Sequence, residues 1–137
     1  MVAKKLFLFF LISVCCLFFS SCEKESGEGG TSSISGKVFK LKVNTFTGDT
    51  TYFHPYNDRE VYIIYSNNEN DIYDDSFETN WNGQYEFNYL RKGDYTLFTY
   101  EDSTDNIGVN YEYPVFLHVT VDKNNLRMDN NNFIINK

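Results

Sequence analysis

From residue 34 onward, apolar and polar residues alternate in short runs, which is the pattern of β-strands with one buried face. The most regular run covers 115–121, where four aliphatic residues occupy every second position. Residues 61–65 are apolar at nearly every position, which predicts a strand that is covered on both faces or central in the sandwich. No window shows a sustained 3.6-residue apolar period, and alanine is absent after residue 34. The pattern therefore predicts an all-β domain.

Turn signals separate the predicted strands. Thr47-Gly48-Asp49 predicts a first hairpin that returns through 51–54 and ends at Pro55, which has no N–H for a ladder. Asn82-Gly83 is the strongest hairpin signal, because both residue types accept a positive φ. Lys92-Gly93-Asp94 predicts the next turn, and the polar stretch 101–114 is interpreted as a long loop.

The same alternation predicts the core and one irregularity. Tyr85 and Phe87 are expected to enter the core from one strand and Tyr95 and Leu97 from its neighbour, with Leu90 folded under the turn between them. In the first strand the apolar phase switches between residues 38 and 39, which predicts a β-bulge there. The last strand, from residue 126 to 135, is expected to be interrupted at 129–132.

The first 21 residues have the layout of a secretory signal. Lys4 and Lys5 precede an apolar run of 14 residues, Leu6 to Phe19, and two serines follow. A membrane-spanning helix needs about 20 apolar residues, so this run is short for a permanent anchor. A basic start, an apolar stretch and small residues together predict cleavage after residue 21.

Cys22 follows these serines directly, and the segment therefore resembles a bacterial lipoprotein signal. The resemblance implies that Cys22 becomes the first residue of the mature chain and carries a lipid that anchors the protein to the outer membrane. Ordinary cleavage that leaves a free thiol is the alternative. The other cysteines, Cys15 and Cys16, lie inside the signal, so a lipidated domain keeps no thiol for a disulfide, a nucleophile or a metal.

Residues 22–33 are predicted to be a flexible, acidic Gly/Ser tether, because no apolar residue interrupts 23–33. Its start, Glu23-Lys24-Glu25, resembles the surface-export signals of Bacteroidetes lipoproteins and implies display at the cell surface. A solvated linker in the periplasm is the alternative. Removing residues 1–21 takes away two lysines and no acid, so the formal net charge of −7 becomes −9. Such a domain is expected to repel nucleic acid.

Three segments resemble the carboxypeptidase-regulatory-like domain, also called the prealbumin-like or Cna-B-like sandwich. Ser35-Gly36-Lys37-Val38 resembles its opening, residues 79–87 (TNWNGQYEF) resemble its T-D-x-x-G-x-Y-x-F hairpin, and residues 90–97 (LRKGDYTL) resemble its L-x-x-G-x-Y-x-L segment. The resemblance covers residue 34 to about residue 100, with Asn80 in place of the usual Asp. It implies a single prealbumin-like or immunoglobulin-like sandwich of seven or eight antiparallel strands over residues 34–137.

Few residues suggest chemistry. His54 and His118 lie in separate predicted strands, and no catalytic or phosphate-binding motif is present. The sequence therefore predicts no enzyme, no cofactor and no metal site, although oxygen-rich loops leave calcium open as an alternative. Trp81, beside the Asn82-Gly83 turn, and Tyr111 and Tyr113 form the candidate binding surface, because such rings combine an apolar face with a polar edge.

The expected function is a lipid-anchored structural or protein-interaction module of the cell envelope without chemistry of its own. Its expected partners are the membrane, through the lipid, and a protein of the envelope, with no role for nucleic acid. The alternative is a glycan- or ligand-binding surface lipoprotein, accessory to an outer-membrane uptake system.

Overall fold

The computed structural model describes residues 25–44 and 46–136. Among these residues nine strands form two sheets: β1 (Glu28–Val43), β2 (Thr50–Pro55), β3 (Glu60–Ile64), β4 (Asp75–Glu78), β5 (Gln84–Leu90), β6 (Gly93–Thr104), β7 (Asn110–Val121), β8 (Arg127–Met128) and β9 (Phe133–Asn136). The described ranges contain no helix, and hence none long and apolar enough to cross a membrane. The predicted all-β sandwich is confirmed. The predicted signal (1–21) and Cys22 lie outside the described residues.

The first sheet is organised around β1. β2 and β5 pair with β1 antiparallel, whereas the short strands β8 and β9 pair with it in parallel. The sandwich therefore has nine strands where seven or eight were predicted, and two of its otherwise antiparallel pairings are parallel. The last strand is interrupted as predicted, and its two halves, β8 and β9, account for the extra strand.

The second sheet is antiparallel throughout, in the order β4-β3-β6-β7. β3 lies between two neighbours, as its nearly continuous apolar sequence predicts, and β7 forms one edge. The core fills the space between the two sheets, and Tyr85, Phe87, Leu90, Tyr95 and Leu97 are each at most 4% exposed. The predicted core is confirmed.

The phase switch near Val38 has a different cause from the predicted bulge. β1 pairs with β5 through Lys37 and with β2 from Phe39 onward. Val38 joins the two partners, since its N–H donates to Gly83 O at 2.9 Å and its carbonyl accepts from Tyr56 N at 2.8 Å. The register of β1 shifts at other points, between Lys42 and Val43 and before Ile34. One strand thus changes partner, and its apolar phase changes with it.

Both strong turn signals are real turns, but neither closes a hairpin. Gly83 has φ 70° and its N–H donates to Asn80 O at 2.8 Å, yet the strands on either side, β4 and β5, belong to different sheets. The turn at Gly93 likewise leads from β5 in one sheet to β6 in the other. The predicted hairpin pairing is therefore wrong. The first hairpin, through Gly48 at φ 74°, is confirmed.

The predicted long loop at 101–114 is also wrong. β6 and β7 pair without interruption from Gly93↔Val121 to Thr104↔Asn110, and a tight turn connects them. Asp105 Oδ1 accepts the N–H groups of Ile107 at 3.0 Å and Val109 at 2.8 Å, and Gly108 takes φ 86°. The polar sequence therefore forms a hairpin in which residues 104–114 are exposed.

The predicted tether at residues 22–33 and the domain boundary at 34 need correction. β1 begins at Glu28, and Ser32 within it is 2% exposed. Gly27 is already tied to the body, because its N–H donates to Tyr95 Oη at 3.0 Å and its carbonyl accepts from Arg91 N at 2.8 Å. The glycines and serines of residues 28–33 were interpreted as a linker, but in the structure they belong to β1 and lie close to β5.

Candidate functional site

Two hairpins extend past the body of the sandwich at the same pole. Beyond Tyr100, β6 pairs only with β7, and beyond Leu41, β1 pairs only with β2. We name residues 41–44 and 46–52 the first arm and residues 101–113 the second arm. Because no opposing sheet covers them, side chains that alternate normally along the strands remain accessible between the arms.

The space between the arms is a cleft of about 810 Å³. Leu41 and Val43 of the first arm, together with Asn136 at the end of β9, form one wall. The other wall comes from the second arm and consists of Glu101, Asp102, Ser103, Thr104, Asn110, Tyr111 and Glu112. The residues that line the cleft therefore include aliphatic, acidic, hydroxyl and amide residues from both arms and from the end of β9.

Glu101 is the least exposed acidic group of the cleft. It is 6% exposed and lies directly opposite Tyr113 in the β6–β7 ladder. A hydrogen bond from Tyr113 Oη to the Glu101 carboxylate raises the pKa of Tyr113. The same hydrogen bond supplies one donor to the carboxylate and no positive charge.

The second arm as a whole is acidic. Residues 101–113 contain four carboxylates, Glu101, Asp102, Asp105 and Glu112, and no lysine, arginine or histidine. Asp105 is used within the turn, and Glu112 lies 3.9 Å from Arg59. Asp102 makes no hydrogen bond or ion pair with another described residue. The second arm therefore carries a formal charge of −4.

Both arms carry apolar residues at their tips. Phe46 on the first arm is 98% exposed, and Ile107 and Val109 on the second arm are 85% and 55% exposed. Large apolar side chains at hairpin tips do not contribute to the core of this chain. Exposed apolar groups beside a concave surface are typical of binding sites.

The structure brings two of the three predicted binding residues together. Tyr111 and Tyr113 lie on the same face of the second arm, with their ring centroids 6.2 Å apart, and Tyr111 lines the cleft. Trp81 lies in the turn between β4 and β5 and is 86% exposed. It is not among the residues that line the cleft. Trp81 and the tyrosine pair therefore belong to two separate surfaces.

A second depression, of about 590 Å³, lies against the outer side of the first sheet and includes Asn80, the neighbour of Trp81. Its arginine, Arg127, lies within 4 Å of two of its acids, Glu86 and Asp129. Arg127 Nε donates to Asp129 Oδ1 at 3.0 Å, and Ser35 Oγ donates to the same carboxylate at 2.7 Å. These hydrogen bonds, that of Ser35 first, hold the pKa of Asp129 below its usual value. This depression offers a ligand fewer unsatisfied groups than the cleft does.

The histidines and acidic loops do not assemble a metal site in the described part of the chain. No three His, Cys, Asp or Glu residues there are placed to hold an ion together. His118 lies on the outer face of the second sheet, where Nδ1 is 3.1 Å from Thr96 Oγ1 and Nε2 is 3.0 Å from Glu69 Oε1. This arrangement attaches the 66–71 loop to the sheet.

Sequence reasoning missed Leu41, Val43, Glu101 and Asp102 as residues of the site. The first two were assigned to a strand face and the two acids to a polar loop. One signal was present in the sequence: a stretch of 13 residues with four acids and no base is unusual beside alternating tyrosines. The meeting of residues 41–43 with residues 101–112 has no local signal, because it depends on how the two sheets stack.

No family model and no curated protein matches this chain. Among solved structures, the chain is similar to a protein from Pseudomonas aeruginosa described as a "putative carbohydrate binding protein", with 12% sequence identity and a TM-score of 0.47. The match covers 82% of this chain and 92% of that chain. Neither a fold nor a ligand is inferred from similarity at this level.

Proposed function

We propose that the protein is a lipid-anchored module of the bacterial cell envelope that binds a protein partner through the cleft between its two arms and performs no chemistry of its own. The observation that carries this proposal is the cleft of about 810 Å³, with accessible tyrosines on one side and apolar tips on both arms. Interfaces are enriched in tyrosine and in apolar residues at their centre. These features converge at the arms.

A site-specific crosslinking experiment in living cells tests the proposal. A photoreactive residue at Ser103 lines the cleft, whereas the same residue at Tyr89, which is 74% exposed on β5, serves as a matched control. Ser103 should give a discrete crosslinked protein that Tyr89 does not give. Crosslinks of equal yield from both positions, or none from Ser103, would contradict binding at the cleft.

The location of the protein in the cell envelope is part of the proposal, and it rests on the N-terminal sequence. Lipidation at Cys22 predicts that Cys22→Ser releases the protein from membranes and abolishes labelling by a fatty-acid probe. Unchanged labelling would contradict a lipid at this position. Display at the outer surface predicts that protease added to intact cells removes the domain. Protection until the outer membrane is broken would place the protein in the periplasm.

A second candidate is glycan binding at the same cleft. The observation in its favour is the pair Tyr111 and Tyr113, which are 49% and 39% exposed and lie beside the carboxylate of Glu101 and the amide of Asn110. Sugars are bound by aromatic faces together with side chains that accept hydrogen bonds from hydroxyls. This candidate predicts retention on an oligosaccharide surface that Tyr111→Ala abolishes while the melting temperature stays unchanged.

A further inference from the structure

The loop that follows β3 lies on the outer face of the second sheet, and two side chains of that face contact it. Thr96 of β6 donates its hydroxyl proton to Ser66 O at 2.8 Å. His118 of β7 places Nε2 3.0 Å from Glu69 Oε1 and Nδ1 3.1 Å from Thr96 Oγ1, its direct neighbour in the β6–β7 ladder. We name residues 66–71 the strap. A continuous series of polar contacts thus attaches the strap to the sheet at Ser66 and at Glu69.

The donors and acceptors in this series follow from chemistry, because a carbonyl and an ionised carboxylate only accept. Thr96 has a single hydroxyl proton, and the hydrogen bond to Ser66 O uses it. His118 Nδ1 therefore has to donate to Thr96 Oγ1. His118 Nε2 likewise has to donate to the carboxylate of Glu69. Both ring nitrogens carry a proton in this arrangement, which is that of a positively charged imidazolium.

A neutral ring cannot keep all three hydrogen bonds. If the remaining proton is on Nε2, the Thr96 hydroxyl has to turn toward Nδ1, and Ser66 O loses its donor. Thr96 is fully buried, so its hydroxyl chooses between these two protein partners and does not turn to bulk water. If the remaining proton is on Nδ1, the carboxylate of Glu69 loses its donor instead. Deprotonation of His118 therefore removes one attachment of the strap, whichever tautomer forms.

The elements around His118 contain acids and no other cation. β6, β7 and residues 65–74 include no lysine, no arginine and no second histidine. Their acids near the ring are Glu69, Asp71 and Asp74 of the loop and Asp94 of β6, which accepts from Thr120 Oγ1 at 2.7 Å. The other acids of β6 and β7 belong to the second arm. Loss of the ring proton thus removes the only positive charge that these three elements carry.

We propose that His118 is a pH-sensitive switch that holds the strap on the second sheet while the ring is protonated and releases it as the pH rises. Histidine is the side chain that ordinarily changes its charge between about pH 5 and pH 8. The attachment is present while the folded ring is charged and is lost as the proton leaves, so the strap is held at the acidic end of this range. The switch is separate from the cleft, because none of its residues lines it.

The test measures hydrogen exchange of the backbone amides of residues 66–71 by NMR, on the full chain solubilised in detergent. After correction for the intrinsic pH dependence of exchange, these amides should exchange about threefold to tenfold faster at about pH 8 than at about pH 5, which corresponds to the loss of one hydrogen bond or ion pair. Carboxyl groups ordinarily titrate near pH 4, so the acids of the loop stay ionised throughout this range. The amide of Leu97, inside the sheet, should show no such step.

Three variants assign the step to His118. His118→Gln has no ring to titrate and should abolish the step. His54→Gln is the matched control, because the chain has two histidines and His54 is exposed on β2, and it should keep the step. Glu69→Gln keeps the ring and an acceptor oxygen but removes the charge, and it should make the step smaller. The inference is overturned if the original protein shows no step, if His118→Gln keeps it, if His54→Gln loses it, or if Glu69→Gln leaves its size unchanged.

Discussion

The body and the arms of this molecule are built from the same kind of strand, but they differ in what covers them. In the body, apolar side chains such as Ile34, Ile63 and Leu97 are fully buried between two sheets. On the arms, Val43, Phe46 and Ile107 are 40%, 98% and 85% exposed, although they stand in equally regular strands and turns. Alternation along a strand therefore determines which side chains share a face. Whether that face is buried depends on the presence of an opposing sheet.

The largest expected difference between the two regions comes from the same substitution made in each. Phe87→Ala removes a ring that is 4% exposed and leaves a cavity, so it should reduce the free energy of unfolding by about 3 to 5 kcal/mol. Phe46→Ala removes a ring that is 98% exposed and should change it by less than about 0.5 kcal/mol. Urea denaturation of both variants measures the contrast, and equal losses would show that Phe46 packs in solution.

A comparison of Gly48 with Gly83 separates the cost of a left-handed backbone conformation from the cost of a steric contact. Gly83 and Gly48 have nearly the same conformation, φ 70° and 74°, so alanine should cost about 1 to 2 kcal/mol at either position. A Cβ at Gly83 would lie 2.6 Å from Val38 O, whereas one at Gly48 meets nothing within 4 Å. Gly83→Ala should therefore cost about 1 to 3 kcal/mol more than Gly48→Ala. Equal melting temperatures for the two variants would contradict the close approach at Val38.

The buried hydroxyl of Tyr85 should make the free energy of unfolding depend on pH in the alkaline range. Its hydroxyl donates to Asn131 O, and burial raises the pKa of Tyr85 well above its ordinary value of 10. Above pH 10 the unfolded chain loses this proton while the folded chain keeps it, so the free energy of unfolding should fall as the pH rises. Tyr85→Phe should cost about 1 to 2 kcal/mol at neutral pH and make the alkaline fall shallower.

Denaturant titrations at several values between pH 8 and pH 11 measure this slope. Part of the fall should remain in the variant, because burial also raises the pKa of Tyr65 to about 12. Parallel curves for the variant and the original protein would mean that the buried hydroxyl of Tyr85 does not govern the alkaline limit.

The smallest effect is expected for Trp81, which is an exposed aromatic residue in a turn of the body. Because it is 86% exposed, Trp81→Ala should change the free energy of unfolding by no more than about 0.5 kcal/mol. Thermal unfolding followed by circular dichroism measures the change. If Trp81 contacts a partner, the same variant should weaken that binding by about 2 kcal/mol or more. A loss of several kcal/mol in the free energy of unfolding would instead show that Trp81 is packed in the core.

The sequence predicts strands better than it predicts their partners. The alternation around Tyr85 and Tyr95 identified the core correctly, because burial of one strand face leaves a period of two. Asn82-Gly83 predicted a turn but not its partners, since turn geometry is local and the choice of sheet is decided by long-range packing, here at Thr79 and Val38. Thr79 Oγ1 donates to Tyr56 O at 2.7 Å and accepts from Arg59 N at 2.9 Å, which holds the chain after β4 against the connection between β2 and β3.

Two parts of the molecule, the candidate site and the start of β1, could not be predicted from the sequence. Beyond Glu101, neither face of this hairpin is covered by another sheet, so residues 102–113 have no apolar period and resemble a loop. Segments such as 28–33 lack large side chains, and their strand structure depends on pairing with β5 and the contacts of Ser32 rather than on propensity. Tyr111 and Tyr113 could be named from residue type alone, but the wall opposite them could not.

The hydrogen bonds of Gly27 limit how far the domain can lie from a membrane to which Cys22 is anchored. If Cys22 carries the lipid, only five residue steps separate the bilayer from Gly27, a reach of at most about 18 Å, where a tether to residue 33 would have allowed about 40 Å. The 16 residues of β1 then span about 50 Å from that pole to the arms. With β1 perpendicular to the bilayer, a partner in the same membrane would have to extend about as far to reach the cleft.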